Sequence, residues 1–299
     1  MNRNIVSKGN ESEKKLFVYL LVCFTLSWII IFAAILGKNN TIFSFAKIII
    51  MFVPLLSVII TNRSIHLKKY GIHMKLKIKE NWKNVIVAVW APILLSTLGA
   101  VLYFIIFPDK FSFEFPYISE KLEASGANEV NVRVYVLMQV VCAITIAPFI
   151  NMLFAIGEEV GWRGFMTPLL MRKHGKRLGT IISGTIWGIW HWPLIIFTGY
   201  QYGSGYWGAP FTGMFVMLLF TVSLGTLLTY LYTVSHCIWI PSLAHGSINA
   251  ISGIGLYFMK YINDGYFLGP ALSGLISVIP LCLVAIIIIY KSNKLGDLL

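Results

Sequence analysis

Two adjacent carboxylates, Glu158 and Glu159, stand inside an apolar run, and no other acid among the chain's twelve Asp and Glu does so. An ionisable side chain in a membrane helix costs about 2.5 kcal/mol or more, so such residues tend to have partners and a task. Neighbours on a helix point about 100° apart, which gives the two carboxylates separate surroundings. Arg163 follows Glu159 by four residues, on the same helical face and in the favourable order for an ion pair. That spacing assigns Glu159 and Arg163 to each other and leaves Glu158 to face something else. The candidates lie in other apolar runs: His191 within Trp187-Gly-Ile-Trp-His-Trp-Pro193, and His245 and Asn249 within His245-Gly-Ser-Ile-Asn249. A spacing of four puts His245 and Asn249 on one face.

Two chemistries fit this set. Glu158, His191 and His245 can hold a Zn²⁺ ion with a fourth position open for water. Without metal, Glu158 and His191 can draw a proton from water while His245 and Asn249 donate to the developing oxyanion. Both routes hydrolyse an amide. Neither the H-E-x-x-H nor the G-x-S-x-G pattern occurs, so soluble zinc-protease and serine-hydrolase readings find no motif.

The elements that position these residues are membrane helices. Of 299 residues 57% are hydrophobic and 12% charged, with a mean hydropathy of +0.77; a soluble domain carries about 25% charged residues. Long unbroken apolar runs select helices rather than a barrel. The fold class is all-α, a polytopic transmembrane bundle of about eight spans near residues 16–36, 42–61, 85–107, 134–171, 178–198, 211–234, 238–259 and 270–290. The fourth is too long for one crossing, so a strongly tilted or interfacial first part is expected. The first run exceeds a signal-peptide core and reads as an uncleaved helix.

With the N-terminus inside, seventeen Lys and Arg fall in inner segments and five in outer ones, so both termini are expected in the cytoplasm of a multi-pass cell-membrane protein. Three regions follow: residues 1–133 with a basic loop and an outer loop, a core over 134–259, and a last span and tail over 260–299. The net charge of +12 sits in short loops, which speaks for topology control and against nucleic acid as a partner. The basic segment 63–84 reads first as a topology signal and second as a site for anionic headgroups. Cys23, Cys142, Cys237 and Cys282 form no CxxC and read as free thiols. Helix rise places Glu158 and His191 each about 21 Å from the basic turn at 172–177, and His245 about 13 Å from His236. These depths predict one cluster, opening on the basic side. His66, His73, His174 and His236 are expected to be solvated. Trp162, Trp187, Trp190 and Trp192 read as packing residues, with Trp190 and Trp192 as candidates for the wall beside His191.

Glu158-Glu-Val-Gly-Trp-Arg163 resembles the EExxxR motif of the CAAX-processing and bacteriocin-processing (CPBP, or Abi) intramembrane proteases. His191 matches the family's second motif, FxxxH, with Trp187 in place of Phe, and His245-Gly-Ser-Ile-Asn249 matches the third, HxxxN. The resemblance covers residues 134–259. It implies that Glu158 and His191 activate water, that His245 and Asn249 stabilise the oxyanion or complete a metal site, and that Glu159 and Arg163 hold the site in shape. It further implies a peptide or membrane-protein substrate within the lipid bilayer, with bacteriocin self-immunity and peptide maturation among the family's bacterial roles. Two readings from other classes stand beside it: an immunity or scaffold protein that binds without cutting, and a transporter using Glu158 and the histidines as a relay.

Overall fold

The computed structural model describes residues 3–75, 78–261 and 266–291. Lys77 of the expected basic segment and Lys294 of the expected tail lie outside the described residues, as do the side chains of Arg3, Lys8 and Lys69. Helices make the architecture: α1 (Arg3–Leu36), α2 (Asn40–Asn62), α3 (Ile78–Ile106), α4 (Pro116–Ala124), α5 (Val132–Thr145) and α6 (Ala147–Glu159), then a π-helical stretch Val160–Met166. After it come α7 (Thr167–His174), α8 (Lys176–Trp190), α9 (Trp192–Thr198), α10 (Phe211–Ser235), α11 (Trp239–Ile251) and α12 (Ile279–Tyr290).

Five stretches among the described residues are long and apolar enough to cross a bilayer: Glu11–Leu36, Asn40–Asn62, Lys79–Ile106, Lys176–Thr198 and Phe211–Ser235. A sixth is added if Val132–Thr145 and Ala147–His174, bent by 55°, count as one broken span. The protein is a multi-pass membrane protein. The expectation is about eight spans; where the described helices are shorter than the apolar runs, the reasons are local. The long fourth run bends at Ile146, just before Pro148, which cannot donate the next helical hydrogen bond. The seventh ends as a helix at Ile251 and gives way to a 3₁₀ turn over Ile254–Phe258. The eighth begins in turns rich in Gly and Ser and is helical only from Ile279. Twelve residues in α12 rise about 18 Å, against about 30 Å of hydrocarbon.

The bundle hides its polar groups and shows its apolar ones. Phe17, Ile29, Leu94, Ile105, Leu153 and Ile286 are all exposed, while Glu158, Glu159, Arg163 and His245 are buried. That inversion is what lipid contact outside and a polar site inside require. Helix α11 packs on α6 and α3, α10 on α8 and α12, and α2 on α1 and α6. Two glycines permit the contacts nearest the carboxylates. A Cβ on Gly157 would stand 2.5 Å from the Met51 carbonyl oxygen of α2, and one on Gly246 would stand 2.5 Å from the Pro148 carbonyl oxygen of α6. Both neighbours are backbone and cannot swing aside, so α6 needs glycine at these two faces to be clamped between α2 and α11. The segment 108–133 is held by its aromatics. The Phe111 ring stacks on Phe258, Phe115 packs edge-on to the same ring, and Arg133 Nη2 donates to both carboxylate oxygens of Glu114.

Candidate active site

The EExxxR segment spans the change from α6 to the π-helical stretch. The Thr167 amide reaches back to the Trp162 carbonyl, the wide hydrogen-bond step of a π-helix. Such widened turns recur at functional sites because they re-aim side chains without breaking the helix. Despite the widening, both i,i+4 contacts expected of a helix form. Arg163 Nη1 donates to Glu159 Oε1 at 2.9 Å, and Trp162 Nε1 donates to Glu158 Oε2 at 3.2 Å.

Glu159 is fully buried and Arg163 nearly so, so the ion pair inferred from spacing is present and dry. Its surroundings hold one more partner. His245 Nδ1 lies 2.8 Å from the same Glu159 Oε1, so His245 is tied to Glu159 and not to Glu158. The Arg163 guanidinium lies over the Trp187 ring, 4.1 Å from its centroid, which adds a cation–π contact in a water-poor setting.

Glu158 faces the other way. Its Oε2 accepts a second hydrogen bond, from Trp187 Nε1 at 2.9 Å. Trp162 and Trp187 are therefore not only packing residues: two indole N–H groups fix this carboxylate. A phenylalanine at position 187 would supply the ring but no donor. The spacing rules gave no signal for this contact, because it links residues 29 positions apart on different helices.

His191 sits where α8 stops. Pro193 cannot donate to the Ile189 carbonyl, so the helix breaks at His191 and resumes as α9. His191 Nδ1 is 2.9 Å from the Trp187 carbonyl oxygen. A carbonyl only accepts, so Nδ1 carries the proton and Nε2 is left as the basic nitrogen. The ring packs edge-on against Trp190 at 4.8 Å and parallel to Tyr200 at 6.1 Å. Burial pushes the Tyr200 hydroxyl above its ordinary range, so it stays a neutral O–H beside the imidazole. Trp190 forms part of the wall, whereas Trp192 packs with Ile195 and Tyr202 in a separate cluster.

Glu158, His191, His245 and Asn249 all line one cavity of about 410 Å³. The structure thus brings together four of the six residues singled out in the sequence and places Glu159 and Arg163 behind them. The cavity reaches from Glu158 toward the end of the bundle where α2 begins and where α9 and α11 finish, with Lys47, Tyr200 and Ser252 on its wall. The basic segments after α2 and before α8 lie at the opposite end. An opening on the basic side, expected from helix rise alone, is therefore corrected: depth measured from one end says nothing about which end the wall residues line. Lys47 was missed. It stands inside the apolar run of α2, so the rule that singled out Glu158 would have found it had it been applied to cations.

Among the described residues no three His, Cys, Asp or Glu side chains group so as to hold a metal ion. Glu158 Oε2 is engaged by two N–H donors and His245 Nδ1 by Glu159.

Residues 133–251, which carry Glu158, Glu159, Arg163, His191, His245 and Asn249, match the family model described as type II CAAX prenyl endopeptidase Rce1-like. The core of this chain is similar to that family. The CAAX prenyl protease 2 of Methanococcus maripaludis is similar to this chain, 38% identical over 55 residues. That match covers 18% of this chain and 20% of the relative's length. The Rce1-like region begins within one residue of α5 and ends with α11, so it contains the bent pair, the π-helical stretch and both histidine-bearing helices. Helices α1 to α4 and α12 lie outside it.

Proposed function

We propose that this protein is an intramembrane endopeptidase acting on a membrane-associated peptide or protein, and that it uses Glu158 and His191 without a metal. The observation that carries the reading is the convergence of Glu158, His191, His245 and Asn249 on one cavity inside the bundle. The match of the same segment to a family of CAAX endopeptidases supports it.

In this reading a water held between Glu158 and His191 attacks the scissile carbonyl carbon. Its proton passes to the Glu158 carboxylate or to His191 Nε2, either of which acts as the general base. The carbonyl oxygen gains negative charge as the C–O bond forms, and the Asn249 amide donates to it together with Nε2–H of His245 in its imidazolium form, whose Nδ1–H is held by Glu159. The base then returns the proton to the leaving amine nitrogen as the C–N bond breaks, releasing a carboxylic acid and an amine. Glu159 takes no proton; it holds His245 by Nδ1 and is itself neutralised by Arg163. The indole donors on Glu158 Oε2 fix its orientation, which preserves a reactive geometry that a free side chain would lose.

The test is proteolysis of a panel of membrane-spanning peptides by the purified protein in nanodiscs, beside Glu158→Ala and His191→Ala, with and without chelator. Cleavage by wild type that both variants lose, and that chelator leaves intact, is the expected result. Cleavage abolished by chelator and restored by Zn²⁺ would overturn the metal-free route. If wild type and both variants leave every peptide whole while the variants still bind peptides as wild type does, the endopeptidase reading gives way to a binding protein.

A further inference from the structure

Of the 24 Lys and Arg in the chain, seventeen lie in the expected inner segments and five in outer ones. Arg163 is committed to Glu159. The last is Lys47, the eighth residue of the 23-residue helix α2, well inside an apolar span. Among the described residues lining the cavity, Lys47 is the one Lys or Arg and Glu158 the one carboxylate. The Lys47 ammonium lies 5.0 Å from the centroid of the Phe43 ring, one turn nearer the start of α2, so the charge is directed toward the mouth. Ser44 adds a hydroxyl to the same wall.

We propose that Lys47 is a specificity-determining residue which holds a carboxylate carried by the substrate, near the mouth of the cavity and beyond the bond placed at Glu158. The assignment rests on the endopeptidase reading of the cavity. Depth supports it. Gly157 abuts Met51 and Phe52, so Glu158 stands level with that turn of α2, and Lys47 is four to five residues nearer the mouth. At about 1.5 Å of rise per residue this is about 6–7.5 Å, or about two residues of extended peptide. A charge in an apolar wall that meets a peptide favours an anion there and penalises a neutral end. Two carboxylates meet that description, a chain-terminal one and an Asp or Glu side chain. The bland alternative is a lysine that only lays its stem on apolar surface and lifts its charge to the interface.

The experiment uses the full chain in nanodiscs and three probes: N-acetyl-tetraleucine as the free acid, the same peptide as its C-terminal amide, and an amide with Glu at the third position. Binding is followed through tryptophan fluorescence, since Trp187 and Trp190 line the cavity. The free acid is expected to bind wild type about tenfold more tightly than the plain amide, an increment typical of one added charge contact. Lys47→Gln removes the preference while leaving amide affinity unchanged, which also certifies its fold; Lys47→Arg retains most of it. If the Glu-bearing amide binds as tightly as the acid, Lys47 accepts a side-chain carboxylate; if it binds like the plain amide, Lys47 reads a chain terminus. Equal binding of acid and amide to wild type, no binding of any probe, or a preference that survives Lys47→Gln would each overturn the proposal. Cleavage is a separate readout. Acid preference in a protein that cuts no peptide retires the endopeptidase reading and keeps a carboxylate-binding Lys47, and cleavage without acid preference does the reverse.

Discussion

The space behind Glu159 and the space in front of Glu158 begin at adjacent residues and have opposite characters. Behind, Glu159 meets Arg163 and His245 at 2.9 and 2.8 Å, with the Trp187 ring closing the guanidinium from one side. Both partners engage Oε1, Oε2 is buried without a hydrogen-bond partner, and the carboxylate has no exposed surface. In front, Glu158 is held by two neutral N–H donors and looks into a cavity large enough for several residues of a peptide. Neutral donors orient a carboxylate without cancelling its charge, whereas a guanidinium cancels it. The same residue type in consecutive positions thus yields a structural anchor and a reactive group, and the surroundings decide which is which.

The sharpest way to break that comparison is to remove charge from each carboxylate in turn. Glu158→Gln keeps the shape and loses the carboxylate that holds and activates the water, and is expected to lower kcat by about 10⁴-fold, the upper range for acid–base catalysis, with little change in thermal unfolding. Glu159→Gln leaves Arg163 buried without a counter-charge and is expected to cost about 3–5 kcal/mol of stability. A double variant, Glu159→Gln with Arg163→Met, restores most of that loss because no unpaired charge remains. Tm and kcat measured side by side check all three. If Glu158→Gln unfolds the protein and Glu159→Gln leaves it stable but inactive, the division of roles is reversed.

A smaller effect sharpens the cavity side. Asn249 extends from the turn of α11 after His245, on the cavity wall. Loss of one oxyanion donor costs about 10²–10³-fold in kcat with KM nearly unchanged. Asn249→Ala is expected to show that pattern, read from initial rates on whichever peptide wild type cuts. A rise in KM with kcat intact would instead make Asn249 a ground-state contact.

The all-helical membrane class was legible in the sequence, and so were the polar residues that the cavity collects. Glu158, Glu159 and Arg163 were legible because charge is rare in apolar runs and because i,i+4 spacing pairs neighbours on a helix. His191, His245 and Asn249 were legible as polar residues at compatible depths, and the cavity does collect them. The all-helical membrane architecture was legible from apolar runs, but their lengths overstated the helices. Hydropathy does not register that Pro148 bends one run, or that glycines and serines keep another in turns until Ile279. The pairing of His245 with Glu159 rather than Glu158 was hidden for a different reason. It depends on the rotation of α11 against α6, which the Gly246 contact sets and no spacing within either helix encodes.

Trp187 is the residue through which the two spaces touch, and replacing it is the finest probe of how separate they are. Its N–H holds Glu158, its face carries Arg163, its carbonyl oxygen holds His191 Nδ1, and its ring lies 5.3 Å from that of His245. Trp187→Phe keeps the backbone carbonyl and an aromatic face for Arg163, and removes only the N–H and part of the ring. If Trp187 is a positioning residue, kcat falls about tenfold, as expected for one lost hydrogen bond to a charged group, while KM holds and Tm drops only slightly. Trp187→Leu also removes the aromatic face, so it should add a stability loss while its kcat falls no further than in the Phe variant. A Phe variant with unchanged kcat and a large drop in Tm would show that the indole serves the closed side alone, and that Trp162 by itself orients Glu158.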